Sequence, residues 1–527
     1  MTGEIQKVLG WRNASRHVEL AAAAAIAAAI AVTAPQAAWG DGLPPALLVQ
    51  AETGGDELLR EFDPPPADDG LLERFDAQPA EPEAPPSDSG SGDLLDQFGE
   101  SPGASAPPAA AGQPRAAPEG WLPDWAKLHG SFSFNGAYNY AQEAPVPQRG
   151  VSRLRPVLRL DLNLDLPGSW EGQVSGIAFH DFAYELRGRD QFTDEVLDQY
   201  EQEAELRELF VRGTPVQSLD LKFGRQIVVW GFADLVRVVD ILNPVENREP
   251  GLADIEDVRL PIAMSRVDYF FGAFSLTAVA VHEIEFNKDP VYGSDFYPLD
   301  QPIQEDIPPS NAENTEYGVS VRGIFEGFDV ALYWAEYFDD SAHLVWTGAP
   351  FQSPLKGLHS RLNLTGAAVN LALGNWLLKA ESALVRGLEF ANLPGETKNR
   401  WDIMAGLDYT GITDATITVE AVNRRIVDFD PVLKQAPDGA AEDLNQYGLS
   451  YTEDFWHQTL HLTGVWFFFG ERAHQGGVQR YQAAYDVFDA FTATFGFLIF
   501  QSAGPDNPLF QRVRNIDRAF FDVKYSF

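Results

Sequence analysis

Phe520-Phe521-Asp522-Val523-Lys524-Tyr525-Ser526-Phe527 ends the chain, and its alternation narrows the fold to two kinds of β protein. Counting back from Phe527, every second position is apolar or aromatic: Tyr525, Val523, Phe521 and Ala519. Ser526, Lys524 and Asp522 stand between them. A period of two sends each set to its own face of a strand. Such a strand suits the edge of a soluble sandwich or the closing strand of an outer-membrane β-barrel. In the second case Phe521, Val523, Tyr525 and Phe527 form the terminal signal read by the barrel-assembly machinery.

The other end of the chain favours the barrel. Lys7, Arg12 and Arg16 form a basic region, diluted by Glu4 and Glu19, ahead of an apolar run from Leu20 to Ala34. That run is shorter than the ~20 residues a spanning helix needs, so residues 1–40 read as a removable secretory signal. No other stretch reads as a spanning helix. The segment Leu154–Leu166 then supplies the polarity. Leu154, Leu158, Leu160, Leu162, Leu164 and Leu166 fall on one face; Arg153, Arg155, Arg159, Asp161, Asn163 and Asp165 fall on the other. In a soluble sandwich the charged face is outside; in a membrane barrel the charges line a lumen and the leucines meet lipid.

The alternation recurs down the chain. Phe132, Phe134, Gly136, Tyr138 and Tyr140 mark a first strand, and Trp170, Val174, Ala178 and Phe182 follow the turn at Pro167–Ser169. Further strands are expected at Leu219–Trp230, Leu276–Glu285, Tyr317–Gly323, Phe328–Trp334, Leu362–Leu373, Trp376–Val385, Trp401–Tyr409, Ala415–Ala421, His457–Phe469 and Phe491–Phe500. Short turns alternate with long polar loops at 187–202, 231–261, 286–314, 339–357, 389–399 and 426–445, the outer-membrane arrangement. Residues 121–527 are therefore expected to form an all-β domain, a large transmembrane antiparallel β-barrel of roughly 16–18 strands. Trp170, Trp230, Trp334, Trp376 and Trp401 fall near strand ends, where interfacial girdles sit.

The formal charge of −39 is uneven. Residues 41–120 hold three Arg against 17 Asp/Glu, and residues 121–527 hold 32 Lys/Arg against 58 Asp/Glu. Such a chain repels nucleic acid. In a barrel, acidic excess in loops and lumen favours cations. With no cysteine there is no disulfide, thiolate metal site or cysteine nucleophile.

Residues 41–120, rich in Pro and Ala and acidic, cannot build a packed core and read as a disordered periplasmic tail. One unit recurs in it: Leu58-Leu59-x-x-Phe62, Leu71-Leu72-x-x-Phe75 and Leu94-Leu95-x-x-Phe98. The apolar residues of each unit share one face of a helical turn, which suits repeated docking into a partner's groove. Drift of a low-complexity tail, or contact with the barrel's own rim, would leave the same trace.

The densest sequence is Gly224-Arg225-Gln226-Ile227-Val228-Val229-Trp230-Gly231, continuing through Asp240-Ile241-Leu242-Asn243-Pro244 to Arg259-Leu260-Pro261. A strand that ends in Trp-Gly and enters a loop of ~30 residues with short apolar runs suggests a loop folded inward to constrict a pore. The plainer alternative is an outer loop packed on the barrel wall. The constriction reading singles out Arg153, Arg155, Arg159, Asp161, Arg225, Trp230, Asp240, Asn243 and Arg259, although the four charges on Leu154–Leu166 suit salt-bridged wall structure equally well.

In Gly224, Arg225, Gln226, Trp230, Gly231, Asp240, Asn243, Pro244, Arg259 and Pro261 the chain resembles a family of proteobacterial outer-membrane β-barrel proteins, domain-of-unknown-function family 1302. The resemblance implies partners of two kinds, an efflux-type inner-membrane transporter and a periplasmic lipid-carrier-like protein, and handling of hydrophobic or lipid-like molecules. It carries over no catalytic residue. His457 and His461 would share a strand face ~13 Å apart, too far for one metal, and no nucleophile elbow or phosphate-cradling loop is present. The expectation is a passive outer-membrane channel, embedded in lipid, without cofactor or metal and not an enzyme. The alternative is a scaffold or exit component of an export system that docks a periplasmic partner through its tail.

Overall fold

The computed structural model describes residues 122–141, 149–252, 258–297, 299, 301–348, 354–502 and 515–527. The secretory segment and the three Leu-Leu-x-x-Phe units lie outside the described residues. Eighteen strands form the wall: β1 Ala126–Asn139, β2 Gly150–Leu166, β3 Trp170–His180, β4 Gln202–Val216, β5 Leu219–Gln226 and β6 Ile262–Phe271. They continue as β7 Phe274–Val281, β8 Glu316–Phe325, β9 Phe328–Phe338, β10 Arg361–Leu373, β11 Trp376–Glu389 and β12 Thr397–Ile412. The last six are β13 Ala415–Val427, β14 Asp443–Phe455, β15 Leu460–Phe469, β16 Gly477–Phe488, β17 Phe491–Gln501 and β18 Arg518–Ser526.

Each strand pairs antiparallel with the next, and β18 returns to β1, with Tyr525 opposite Phe132 and Val523 opposite Phe134. The sheet is a closed barrel without an edge. Closure is what lets a sheet sit in hydrocarbon, because every backbone N–H and C=O finds a partner within the wall.

The polarity of the wall is that of a membrane protein. Along β9, Phe328, Val330, Leu332 and Trp334 are exposed, whereas Asp329, Ala331, Tyr333 and Ala335 between them are buried. The large apolar side chains face outward on most other strands too, among them Leu158, Leu160, Val211, Phe223, Tyr269, Trp401, Ile403, Phe497 and Phe521. Water would not tolerate that belt; lipid requires it. At one rim Tyr269, Phe271, Phe274, Phe325 and Phe328 follow one another with ring centroids 4.9–5.8 Å apart. Trp376 and Tyr409 continue the row at 4.2 Å. This is an interfacial girdle of an outer-membrane barrel.

That rim carries the eight connections of two to four residues; the other rim carries nine of seven to 35 residues. Gly327 (φ 82°) of the two-residue turn Glu326-Gly327 shows why the turns hold glycine: a side chain would be strained there. β1 begins and β18 ends on the short-turn rim. Three short strands at Gln304–Asp306, His343–Trp346 and Leu355–Leu358 form a small separate sheet within the long connections.

The strand count falls at the upper end of the expected range. The segment expected at Leu219–Trp230 leaves the ladder after Gln226, where the Val228 N–H is taken by the Asn243 side chain. His457 lies in the turn before β15 at φ 60°, so it does not share a strand face with His461. Trp230 stands 5% exposed inside the molecule and is no part of a girdle. Four strands, β4, β6, β14 and β16, escaped the reading of alternation. In β4 the reason is visible: a bulge opposite Val174/Gly176 places Arg207 and Glu208 consecutively and breaks the period of two.

Candidate functional site

The described residues of the connection between β5 and β6, 227–252 and 258–261, do not stand out from the long-loop rim. Their alternation of buried side chains, Val228, Trp230, Phe232, Val236, Val238, Val239 and Leu242, is turned against the inner faces of β6, β7 and β9–β13. The wall answers with Met264, Val281, Ala331, Ala335, Leu364, Val385 and Met404. Trp230 packs on the Tyr333 ring at 5.1 Å. Burying each larger side chain contributes about 1.5–3 kcal/mol, which is why the segment is held inside rather than solvated outside.

Burial of the loop backbone creates a second demand, since each N–H needs an acceptor. Two carboxylates on the wall supply them. Glu381 Oε1 of β11 accepts from Phe232 N (2.5 Å) and Ala233 N (2.9 Å), and its Oε2 accepts from Val239 N (3.4 Å). Glu420 of β13, fully buried, accepts from Asp234 N (2.6 Å), Leu235 N (2.9 Å) and Val236 N (2.9 Å). Gly231, at φ 84°, permits this approach, because a Cβ there would run into the Glu381 carboxylate. Lys379 of β11 bridges Asp234 of the loop and Asp408 of β12 (2.6 Å to the latter). Burial raises the Asp234 carboxyl above its ordinary range, with Lys379 pulling the other way. Arg424 Nη2 donates to Arg237 O at 2.6 Å while its Nη1 holds Asp402 at 2.7 Å.

The loop's own knot explains its conspicuous residues. Asn243 Oδ1 accepts from Val228 N (2.8 Å), and its Nδ2 donates to Gln226 O (3.2 Å) and Leu260 O (2.9 Å), so one amide ties both stems together. Asp240 accepts from Trp230 N (3.1 Å) and pairs with Arg259 at 2.8 Å and Arg237 at 3.3 Å. Arg225 sits between Glu283 (2.6 Å), Glu285 (2.9 Å) and Glu205 (3.6 Å). Trp230, Asp240, Asn243 and Arg259 thus meet in one knot. Trp230, Asp240 and Asn243 are buried in the loop's own fold rather than presented to open water.

The second half of the loop reaches the far wall. Glu249 joins Arg153 and Arg155 of β2 (3.0 Å to Arg155) and Arg518 of β18 (3.7 Å). Burial alone would raise the Glu249 carboxyl, but the three guanidinium groups outweigh it and hold it down at about 2. Arg480 of β16 donates to Gly251 O at 3.1 Å, and Leu252 packs with Ala137, Leu498 and Phe520. β2 and β11 are nine strands apart in a ring of eighteen, on opposite sides of the barrel. One loop is therefore anchored at both ends of a diameter.

Arg153 and Arg155 are brought into this arrangement; Arg159 and Asp161 follow on the same strand toward the short-turn rim. Glu381, Glu420, Lys379 and Glu249 had not been singled out from the sequence. The signal was there for the wall residues: Lys379-Ala380-Glu381 places two charges at alternate positions between the apolar runs Trp376-Leu377-Leu378 and Ala383-Leu384-Val385.

The model of the family described as "Protein of unknown function (DUF1302)" matches residues 20–527. No curated protein matches the chain. Among solved structures, the outer membrane protein OpdK from Pseudomonas aeruginosa is 9% identical, covering 76% of this chain and 98% of its own, at a TM-score of 0.45. A BenF-like porin from Pseudomonas fluorescens Pf-5 is 12% identical, covering 77% and 100%, at 0.47. Acinetobacter baumannii OccAB3 is 10% identical, covering 76% and 99%, at 0.46.

Proposed function

The chain belongs to the DUF1302 family, and on the geometry of its inner loop we propose that it is a passive outer-membrane channel whose lumen is constricted by residues 231–261. One observation carries this reading: the loop is fastened to β11 and β13 by Glu381 and Glu420 and to β2 and β18 by Glu249, across the full width of the barrel. A loop that only covered the wall would need one set of fastenings. A segment pinned across a diameter narrows whatever passes. An eighteen-stranded ring is wide enough to hold an aqueous channel around it.

The short-turn rim faces the periplasm in this reading, which puts the start of β1 and the end of β18 there and brings the acidic tail within reach of a periplasmic partner. Solute moves down its gradient, and the wall contributes position and electrostatics rather than catalysis. The test is conductance in planar bilayers. The purified chain should give discrete current steps. A chain that never conducts, even with residues 231–247 deleted, would sink the proposal.

A further inference from the structure

The loop does not treat the barrel's inner wall evenly. Its apolar core lies on β6, β7 and β9–β13, and its carboxylate and arginine contacts occupy β2, β4, β11, β13, β16 and β18. On the short-turn side of those contacts, β13–β16 present a different surface. Their register places Thr416 opposite Thr452, Thr452 opposite Thr463, and Thr463 opposite Gln482. Four neighbouring strands thus carry three hydroxyls and one amide in a single lateral row. Tyr481 and Tyr485, exposed on the lipid side of β16, alternate with Gln482, which fixes the row on the inner face. Ser450 and Thr494 extend the same chemistry on β14 and β17.

These groups are only half-buried, and the hydroxyls of Thr452, Thr463, Ser450 and Thr494 make no side-chain hydrogen bond to other described residues. The charges beside the row on β14 and β16 are engaged, and Lys524 stands farther along, on β18 opposite Thr492. His461 lies between Asp454 (2.7 Å) and Asp486 (3.3 Å), Asp486 also accepts from Thr492 (2.7 Å), and Arg480 is turned to Gly251 O and Gln482. A wall built only to be stable has no use for a row of free hydroxyls facing inward. Free donors and acceptors at successive strand spacings of about 4.8 Å can be exchanged, one after another, for the hydroxyls of a moving solute.

We propose that this row is a solute track selective for uncharged, polyhydroxylated molecules of the saccharide class. The proposal rests on the channel reading. A neutral polyol trades its water for the track's hydroxyls at little net cost. An ion of the same size would lose hydration without meeting a free counter-charge on β13–β16, and an apolar solute would leave the hydroxyls unpaired. The track thus works against the hydrophobic cargo that the family resemblance implies.

The experiment uses the full chain in proteoliposomes, with glucose, gluconate and glucosamine as probes and salt conductance recorded in parallel. The proposal expects glucose to enter fastest of the three. It also expects the combined substitution Thr452→Val and Thr463→Val to slow glucose by roughly three- to tenfold, the loss of one or two net hydrogen bonds, while salt conductance stays unchanged. Thr463→Ser, which keeps the hydroxyl, should behave as the natural chain. Equal entry of the three probes, or undiminished glucose entry through the double variant, overturns the track and leaves the channel standing. Absence of salt conductance in the natural chain fails the channel reading itself.

Discussion

Single side chains decide whether the loop stays inside the barrel. Glu381 and Glu420 matter less as charges than as acceptors, because six loop N–H groups would otherwise be buried without partners. Glu249 acts differently, as the anion shared by three arginines. Its carboxyl is held down at about 2, below the ~4.3 of an unfolded chain. A depressed value means stability that is complete above the unfolded value and is lost as pH falls toward the folded one. Glu249→Gln should therefore destabilise the protein at pH 7 by about 1–3 kcal/mol, and the gap to the natural chain should close between pH 4 and pH 2. Thermal unfolding in detergent across that window checks it; a gap unchanged by pH would mean that the arginines do not act through the ionised carboxylate.

At the level of elements, the described part of the 227–261 loop behaves as an internal layer rather than a connection. It has a buried face, its own knot at Asp240 and Asn243, and a bonded backbone. The position of Leu235 gives a direct check. Its Cβ lies 3.0 Å from where a Cβ on Gly448 of β14 would stand, close to the separation a disulfide spans once the backbone shifts slightly. The chain has no cysteine, so Leu235→Cys with Gly448→Cys introduces the pair alone. Oxidation should cross-link it without reagent and change the mobility of the denatured chain; failure to cross-link would place the loop elsewhere. The sequence disclosed this element through Trp230-Gly231, Asp240, Asn243 and Arg259, because a knot must be local. It did not disclose the partners. Glu381 and Glu420 lie some 150 and 185 residues away, and only closure of the barrel brings them under the loop.

For the whole molecule, polarity and connection length carried most of the fold. The leucines of Leu154–Leu166 and the aromatics Phe521 and Tyr525 lie on the outward register, Phe520 next to Phe521 turns inward, and Phe521, Val523 and Tyr525 belong to the strand that seals the barrel against β1. Where the period of two failed, as at the β4 bulge, a strand was missed, since alternation is a signal only while the ladder is regular. What passes through was less legible. The row Thr416, Thr452, Thr463 and Gln482 exists only in the register of four strands, and no one of those residues is conspicuous in sequence. The central claim is that a loop pinned across the barrel sets the size of the opening. Single-channel conductance of the double substitution Glu381→Ala with Glu420→Ala, beside that of the natural chain, tests it most directly. Release of one end of the loop should raise the unitary conductance several-fold and widen the range of solutes admitted. Equal conductance, from a variant that still assembles as a barrel, would contradict it.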